Sequence, residues 1–222
     1  MMLFFVVIID TMTQDSSKNK ILQRIRKGIK KTTPIPYPEI ENDKGIYPDR
    51  PEYLDVLFAE QFQKVGGHFV YCEHVEEFIA NLDFLVKQKN WQHLYCWDKQ
   101  LQAIFEQNDF RSCRIGKNLE KADVGITTCE GLIARTGTIL LSSEQAAGRT
   151  LSIFPPVHIV VASTNQVVYN MKELLSVQKR EQKKTPSMLC LTTGASRTAD
   201  IEKTLVKGAH GPKDIYLFML EG

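Results

Sequence analysis

The segment LTTGASRTADIE, residues 191–202, runs from apolar residues through a glycine into hydroxyl and charged residues. This pattern predicts a strand, a glycine turn and a helix over 198–207. Ser196 or Thr198 would cap that helix, and its free N–H groups and positive dipole end would attract a phosphate or carboxylate. Arg197 adds a guanidinium next to Gly194 in the turn. A plain capped turn, with Asp200 complementing the dipole, explains the same residues equally well. The spacing matches neither the Walker A nor the G-x-G-x-x-G pattern. Downstream, Gly208 suits the left-handed position that ends a helix, and Gly211-Pro212 suits a turn. His210 therefore falls on a loop, where it could act as a general acid or base, orient a ligand, or bond only to backbone.

A second concentration of chemistry spans ADVGITTCEGLIARTGT, residues 122–138. A buried strand here would deliver Thr127, Thr128, Cys129 and Glu130 to its C-terminal end, the edge where open α/β sheets bind ligands. Glu130 could be a carboxylate nucleophile or base, and Arg135 an anion clamp; a Glu–Arg surface pair is the plainer alternative. Thr136, Gly137 and Thr138 read as a tight turn with hydroxyls free to bond a ligand. Cys129 stands among polar residues and glycine, but no histidine lies near it to activate the thiol. His158 opens an apolar strand, which favours a core histidine over a catalytic one.

The five cysteines include no C-x-x-C pair, so neither a disulfide framework, a zinc ribbon nor an iron-sulfur cluster is indicated. Cys72, Cys96 and Cys190 lie in apolar runs and read as buried thiols. No H-E-x-x-H occurs, and the histidines form no ligand pattern, so no metal site is expected.

The elements that must hold these residues follow from periodicity. Ser16 or Ser17 can cap a helix with Ile21, Leu22, Ile25 and Ile29 on one face and Lys18, Lys20, Arg24, Lys27, Lys30 and Lys31 mostly elsewhere. Such a basic face is either solvated on a packed helix or a contact for nucleic acid or membrane. Five prolines between Pro34 and Pro51, with Gly45, then read as an extended linker. The expected boundary sets an arm and linker over 1–51 apart from a domain over 52–222. The apolar run 1–9 lacks a basic flank and is too short to span a bilayer, which needs about 20 residues. It reads as a mis-assigned start or an edge strand, with no membrane partner and a cytoplasmic location.

From residue 52 onward helical and strand-like stretches alternate. A helical stripe from Tyr53 to Phe62 precedes a strand at 68–72; another from Val75 to Val86 precedes a strand at 93–97; Asp98 can cap a short helix carrying Leu101, Ile104 and Phe105. Further strands are expected at 123–127, 138–142, 157–162, 188–192 and 215–220, and helices at 165–179 and 198–207. This rhythm predicts an α/β fold with a mainly parallel sheet flanked by helices. Hydrophobic residues at 43% and charged residues at 24% of 222 exclude a disordered or fibrous chain. The net charge of +2 argues against a global field for nucleic acid.

ADVGIT at 122–127, ARTGT at 134–138, FPPVHIV at 154–160 and GASRTADIE at 194–202 followed by HGPK at 210–213 together make the chain resemble the LUD-domain family, named for lactate utilization. The resemblance is specific over about the last hundred residues and general before them. It implies a fold similar to the NagB/RpiA/CoA-transferase group, which includes formyltetrahydrofolate cyclo-ligases. It also implies a role in oxidising L-lactate to pyruvate with separate iron-sulfur subunits, this chain binding no cofactor itself. One departure is Arg135, where many relatives place an acidic residue before the Thr-Gly-Thr turn. The resulting expectation is a non-redox subunit whose small anionic ligand is held by Thr127, Thr128, Thr136, Gly137, Thr138, Gly194, Ser196, Arg197 and Thr198, with Glu130 and His210 as candidate catalytic groups. A homo-oligomer is compatible with it. The alternative is a free-standing acyl-CoA-transferase-like or cyclo-ligase-like enzyme.

Overall fold

Helical spacing of apolar residues and β-rich runs alternate along the chain, and a computed structural model shows how they assemble. It describes residues 17–30, 34, 48–114, 116, 118–181, 186–198 and 206–222. The apolar run at 1–9, Ser16 and most of the proline-rich linker lie outside these residues. The chain divides into two units, 1–49 and 50–222.

In the first unit, α1 (Ser17–Ile29) is amphipathic and basic in its last turn, and it buries none of its residues. The second unit begins with α2 (Leu54–Lys64), β1 (His68–Cys72), α3 (Val75–Lys89), β2 (Leu94–Cys96), α4 (Lys99–Gln107), β3 (Cys113–Arg114) and β4 (Val124–Thr128). There follow β5 (Gly131–Ile133), a 3-10 turn at Ala134–Thr136, β6 (Thr138–Ser142), β7 (Val157–Ser163), a 3-10 turn at Thr164–Gln166, β8 (Val167–Val168) and α5 (Met171–Glu181). The unit closes with β9 (Leu189–Thr192), β10 (Arg197–Thr198), β11 (Val206–Lys207) and β12 (Asp214–Leu220).

Six strands form a sheet in the order β1-β12-β7-β4-β2-β3, with every pairing parallel. Its central strands are buried on both faces, as their near-continuous apolar sequences require. Alternate residues of β7 divide the core: Val157, Ile159 and Val161 pack with Phe78 and Leu82 of α3 and Leu101 and Phe105 of α4. Val160 and Ala162 face the other way, toward Phe58 and Phe62 of α2. Phe58, Phe62, Phe78 and Phe218 are fully buried, each contributing about 2 kcal/mol by leaving water. The α/β architecture with a mainly parallel sheet and flanking helices is thus the one the alternation indicates.

A separate four-stranded sheet, β8-β5-β6-β9, covers that second face, contributing Leu132, Ile139 and Leu141 to the α2 core. Its β5–β6 and β6–β9 pairings are antiparallel and β5–β8 is parallel. The strands expected at 138–142 and 188–192 therefore belong to this second sheet.

Two expected helices need correction. The one placed at 165–179 starts only at Met171, because Ser163 and Gln166 form a reciprocal capping box around a single 3-10 turn, after which Val167–Val168 pairs with β5. The one placed at 198–207 is a strand at both described ends, Arg197 pairing with Lys207 and Thr198 with Val206 in antiparallel register. β-branched Thr198 and Val206 suit a pleated backbone, and Ser196 adds bonds to Pro212 and Gly208 on either side of it. Residues 199–205 are outside the described residues.

Asp98 caps α4 as its type and position suggest: Oδ1 accepts from the Gln100 and Leu101 amides at 2.9 and 3.2 Å. Its other oxygen accepts from Thr128 Oγ1 at 3.1 Å, joining the cap to the end of β4. Asp98→Ala should lower stability by about 1 kcal/mol, read as a reduced urea midpoint with unchanged slope; an unaltered midpoint would show the cap to be idle.

Candidate functional site

Two loops meet where β9 ends. Gly194 adopts φ +73 and lies so close to the end of α2 that an added Cβ would come within 2.4 Å of the Val65 carbonyl oxygen. The chain then turns into Ser196, whose amide donates to the Pro212 carbonyl at 3.0 Å and whose carbonyl accepts from Gly208 at 2.9 Å. The His210 amide donates to Ser196 Oγ at 3.4 Å. These bonds hold the glycine turn against the His210 loop. Between them opens a cleft of about 320 Å³, with Thr193, Ser196 and His210 among its polar walls and Ile153, Pro212 and Ile215 among its apolar ones.

The structure thus gathers Gly194, Ser196, Arg197 and His210 around one cavity, although they stand in two separate segments of sequence. The means differs from the expected one. Gly208, with φ +78, follows β11 and donates its amide to the Ser196 carbonyl in place of ending a helix, and Thr198 stands in a strand. Arg197 Nη2 donates to the Val65 carbonyl at 2.9 Å and covers Gly66, where any Cβ would meet it at 2.1 Å. The guanidinium is therefore pinned to the α2–β1 turn.

Thr136, Gly137 and Thr138 contribute at a remove. Thr136 Oγ1 and Thr138 Oγ1 are 2.7 Å apart, and Thr138 Oγ1 reaches Thr193 Oγ1 in the cleft wall at 2.8 Å. Gly137, at φ +59, allows the turn to press onto the backbone of α2. Its lack of a side chain serves helix packing.

The C-terminal end of β4 holds a different constellation. Thr127 is buried and its hydroxyl lies 2.8 Å from His158 Nε2. Burial lowers the His158 pKa to about 4, so the ring is neutral at pH 7. Its Nδ1 is buried with no hydrogen-bond partner among the described residues. Thr128 bonds to Asp98 and accepts from Gln145 Nε2 at 3.5 Å.

Glu130 Oε1 accepts from Ser142 Oγ at 2.7 Å and Oε2 from Gln178 Nε2 at 3.4 Å, while its amide donates to Leu140. These bonds make it a brace between the β4–β5 turn, β6 and α5. Glu130 does not line the cleft that holds His210. The two candidate catalytic groups therefore do not share this cavity.

Cys129 departs from the polar setting its neighbours suggest. It is buried against the Phe58–Phe62 core, and burial pushes its thiol up to about 12. β4 carries it into the apolar layer between the two sheets, which makes it an inert packing residue. Burial also pushes Cys96 up to about 12 and raises Cys72 and Cys113. Cys190 is half-buried in the cleft wall. Among the described residues no cluster of three or more His, Cys, Asp or Glu could hold a metal, and no helix is long and apolar enough to cross a membrane.

Sequence reasoning missed the apolar half of the cleft. Ile153, 41% exposed, lines it just before Phe154-Pro155-Pro156, and adjacent apolar residues before a rigid turn were the available signal. Ser152, buried and polar in the same wall, carried none.

The LUD domain family model matches residues 16–220, almost the whole chain. The chain belongs to the LUD domain family. One similar LUD relative is a lactate utilization protein C of Macrococcus caseolyticus, 25% identical over 216 residues, covering 88% of this chain and 92% of that one. The lactate utilization protein C of Bacillus subtilis is 35% identical over 119 residues, 52% of this chain and 50% of its own. An uncharacterized protein of Neisseria meningitidis is 37% identical over 98 residues, 44% of this chain and 42% of its own. The crystal structure of a DUF162 family protein from Deinococcus radiodurans has the same fold, with a TM-score of 0.55 at 19% identity, covering 78% of this chain and 99% of that one.

Proposed function

We propose that this LUD domain is the non-redox, ligand-binding component of an L-lactate utilization system whose electron transfer takes place on separate iron-sulfur subunits. The observation that carries the reading is the match to a lactate utilization protein C over 92% of that protein's length. The cysteines support the division of labour. They have no cluster spacing, and Cys72, Cys96 and Cys129 are buried in apolar layers.

The site proposed for a small anionic ligand is the cleft between the 194–197 turn and the His210 loop. Ser196 Oγ can donate to an anion, and the His210 side chain can add a second donor or a charge when protonated. The pinned Arg197 supplies nearby positive charge and fixes the turn. The apolar wall at Ile153 and Ile215 excludes water from one side, which strengthens polar contacts on the other.

Affinity purification from cells grown on L-lactate tests the assembly. Recovery of cysteine-rich iron-sulfur proteins supports the reading; recovery of the chain alone, together with normal lactate growth after deletion, overturns it. For the cleft, Ser196→Ala with His210→Ala should weaken L-lactate or pyruvate binding by about tenfold or more, read by calorimetry, with the thermal midpoint nearly unchanged. Equal affinity in the double variant would move the ligand elsewhere.

The alternative, a free-standing acyl transferase or cyclo-ligase, needs Glu130 as nucleophile or a phosphate-binding helix at Thr198. The hydrogen bonds on both Glu130 oxygens and the β10–β11 hairpin weigh against those two devices.

A further inference from the structure

The cleft between the 194–197 turn and the His210 loop has a floor unlike its mouth. At the mouth stand exposed Thr193 and His210 and half-buried Ser196. Leu141, Ser152 and Ile215, all buried, make the floor. The sequence accounts for the two apolar residues, since Leu141 belongs to β6 and Ile215 to β12, each in a run of buried residues. Ser152 is placed by its neighbours. Leu151 before it is fully buried, and an added Cβ at Gly125 would strike the Leu151 carbonyl. After it, the Ile153 and Phe154 amides both donate to the Thr150 carbonyl, and the Lys213 amide donates to the Pro156 carbonyl at 2.7 Å, tying the 210–215 segment to this turn.

Ser152 is only 7% exposed, and its hydroxyl has no hydrogen-bond partner among the described residues. A buried hydroxyl without a partner is costly, and the missing bond is supplied where water or a ligand reaches it. No carboxylate lines the cleft, whose charged-type side chains are Arg197 and His210. Its mouth therefore suits the carboxylate of an acid, and its floor an apolar body with one hydrogen-bonding group at the far end. A second carboxylate there would be buried without a cation, whereas a hydroxyl can donate to Ser152 or accept from it. The cavity of about 320 Å³ is of the size that holds drug-sized molecules, about 300 Å³ and upward. A three-carbon acid such as L-lactate leaves much of it unfilled.

Resting on the reading of this cleft as the anion site, we propose that its ligand is an ω-hydroxy acid longer than L-lactate, with its carboxylate at Ser196 and His210, its methylenes against Leu141 and Ile215, and its terminal hydroxyl bonded to Ser152. Ser152 then sets the specificity. An acid of the same length ending in a methyl group covers the serine and leaves its hydroxyl unpaired, which is how a polar site rejects an apolar analogue.

Calorimetry of the full chain with ω-hydroxybutyrate, ω-hydroxyhexanoate and ω-hydroxyoctanoate, each beside the acid in which a methyl replaces the hydroxyl, tests this. The best-fitting hydroxy acid should bind about tenfold or more tighter than L-lactate, since each buried methylene adds about fourfold. In Ser152→Ala the affinity ratio of that acid to its methyl analogue should fall by about tenfold or more. The thermal midpoint should stay nearly unchanged, because the lost hydroxyl bonds no described residue. A ratio unmoved by Ser152→Ala, or L-lactate bound as tightly as the best hydroxy acid, overturns this inference and leaves the cleft as an anion site. Failure of every acid to bind, or binding that Ser196→Ala with His210→Ala does not weaken, overturns the anion site as well.

Discussion

Acidification from pH 6.5 to pH 4 should remove about 3 kcal/mol of stability through His158 alone. The ring is 1% exposed and its pKa falls from 6.5 to about 4 because burial penalises the charged form. A histidine that resists protonation in the folded protein leaves the unfolded chain binding the extra proton as pH drops. The contribution is therefore complete above pH 6.5, shrinks at about 1.4 kcal/mol per unit below it, and is gone by about pH 4. Among the described residues Thr127 shares a bond with Nε2 and Nδ1 has no partner, so none of their carboxylates bonds the ring to offset the charge. Urea midpoints at a series of pH values check this. In His158→Gln, less stable at neutral pH, the decline between pH 6.5 and 4 should flatten by about the same 3 kcal/mol. Parallel profiles for the two proteins would show that another group governs the acid limit.

Gly137→Ala should destabilise the fold by about 3 kcal/mol or more, well beyond the ordinary penalty of a left-handed alanine. Two effects combine. The residue sits at φ +59, where a Cβ crowds its own carbonyl, and that Cβ would lie 2.4 Å from the Phe62 amide nitrogen and 2.6 Å from the Gln61 carbonyl carbon. These are backbone atoms of α2 and cannot rotate away, so the helix that buries Phe58 and Phe62 must shift. Gly148 supplies the control, with φ +57 and nothing within 4 Å of the place a Cβ would take. Gly148→Ala should lose only about 1 kcal/mol. Thermal unfolding of the pair distinguishes the causes, because equal losses would mean that helix contact adds nothing.

Much of this fold was legible in single residues and short periods. His68–Cys72 is the strand its β-rich composition indicates, and Asp98 caps α4 through the acceptor geometry its position allows. Local information failed where pairing decides. Residues 198–207 contain good helix formers, yet Thr198 and Val206 face each other across a hairpin that local periodicity cannot reveal. The Thr127–His158 contact arises because β4 and β7 are parallel neighbours, a relation set by sheet order. Cys129 misled for a related reason: Thr128 and Glu130 beside it are polar, but they bond to Asp98 and Ser142 while Cys129 enters the layer beneath the second sheet. The cleft was half visible, since its glycines and hydroxyls are turn residues with recognisable habits, whereas its apolar wall comes from Ile153 and Ile215 on distant elements.

The place of β1 bears on how the protein is made. His68 pairs with Tyr216 and Cys72 with Leu220, and within the parallel sheet β12 is the neighbour of β1. Its partner lies about 150 residues downstream, which at ribosomal speeds means roughly 7 to 30 seconds of synthesis. During that interval Phe58, Phe62 and Phe69 have emerged while the strand that completes their core has not. The nascent chain therefore carries an unpaired edge and exposed aromatic rings through most of its translation, a surface on which chaperones act, and its central sheet closes only after β12 has left the ribosome.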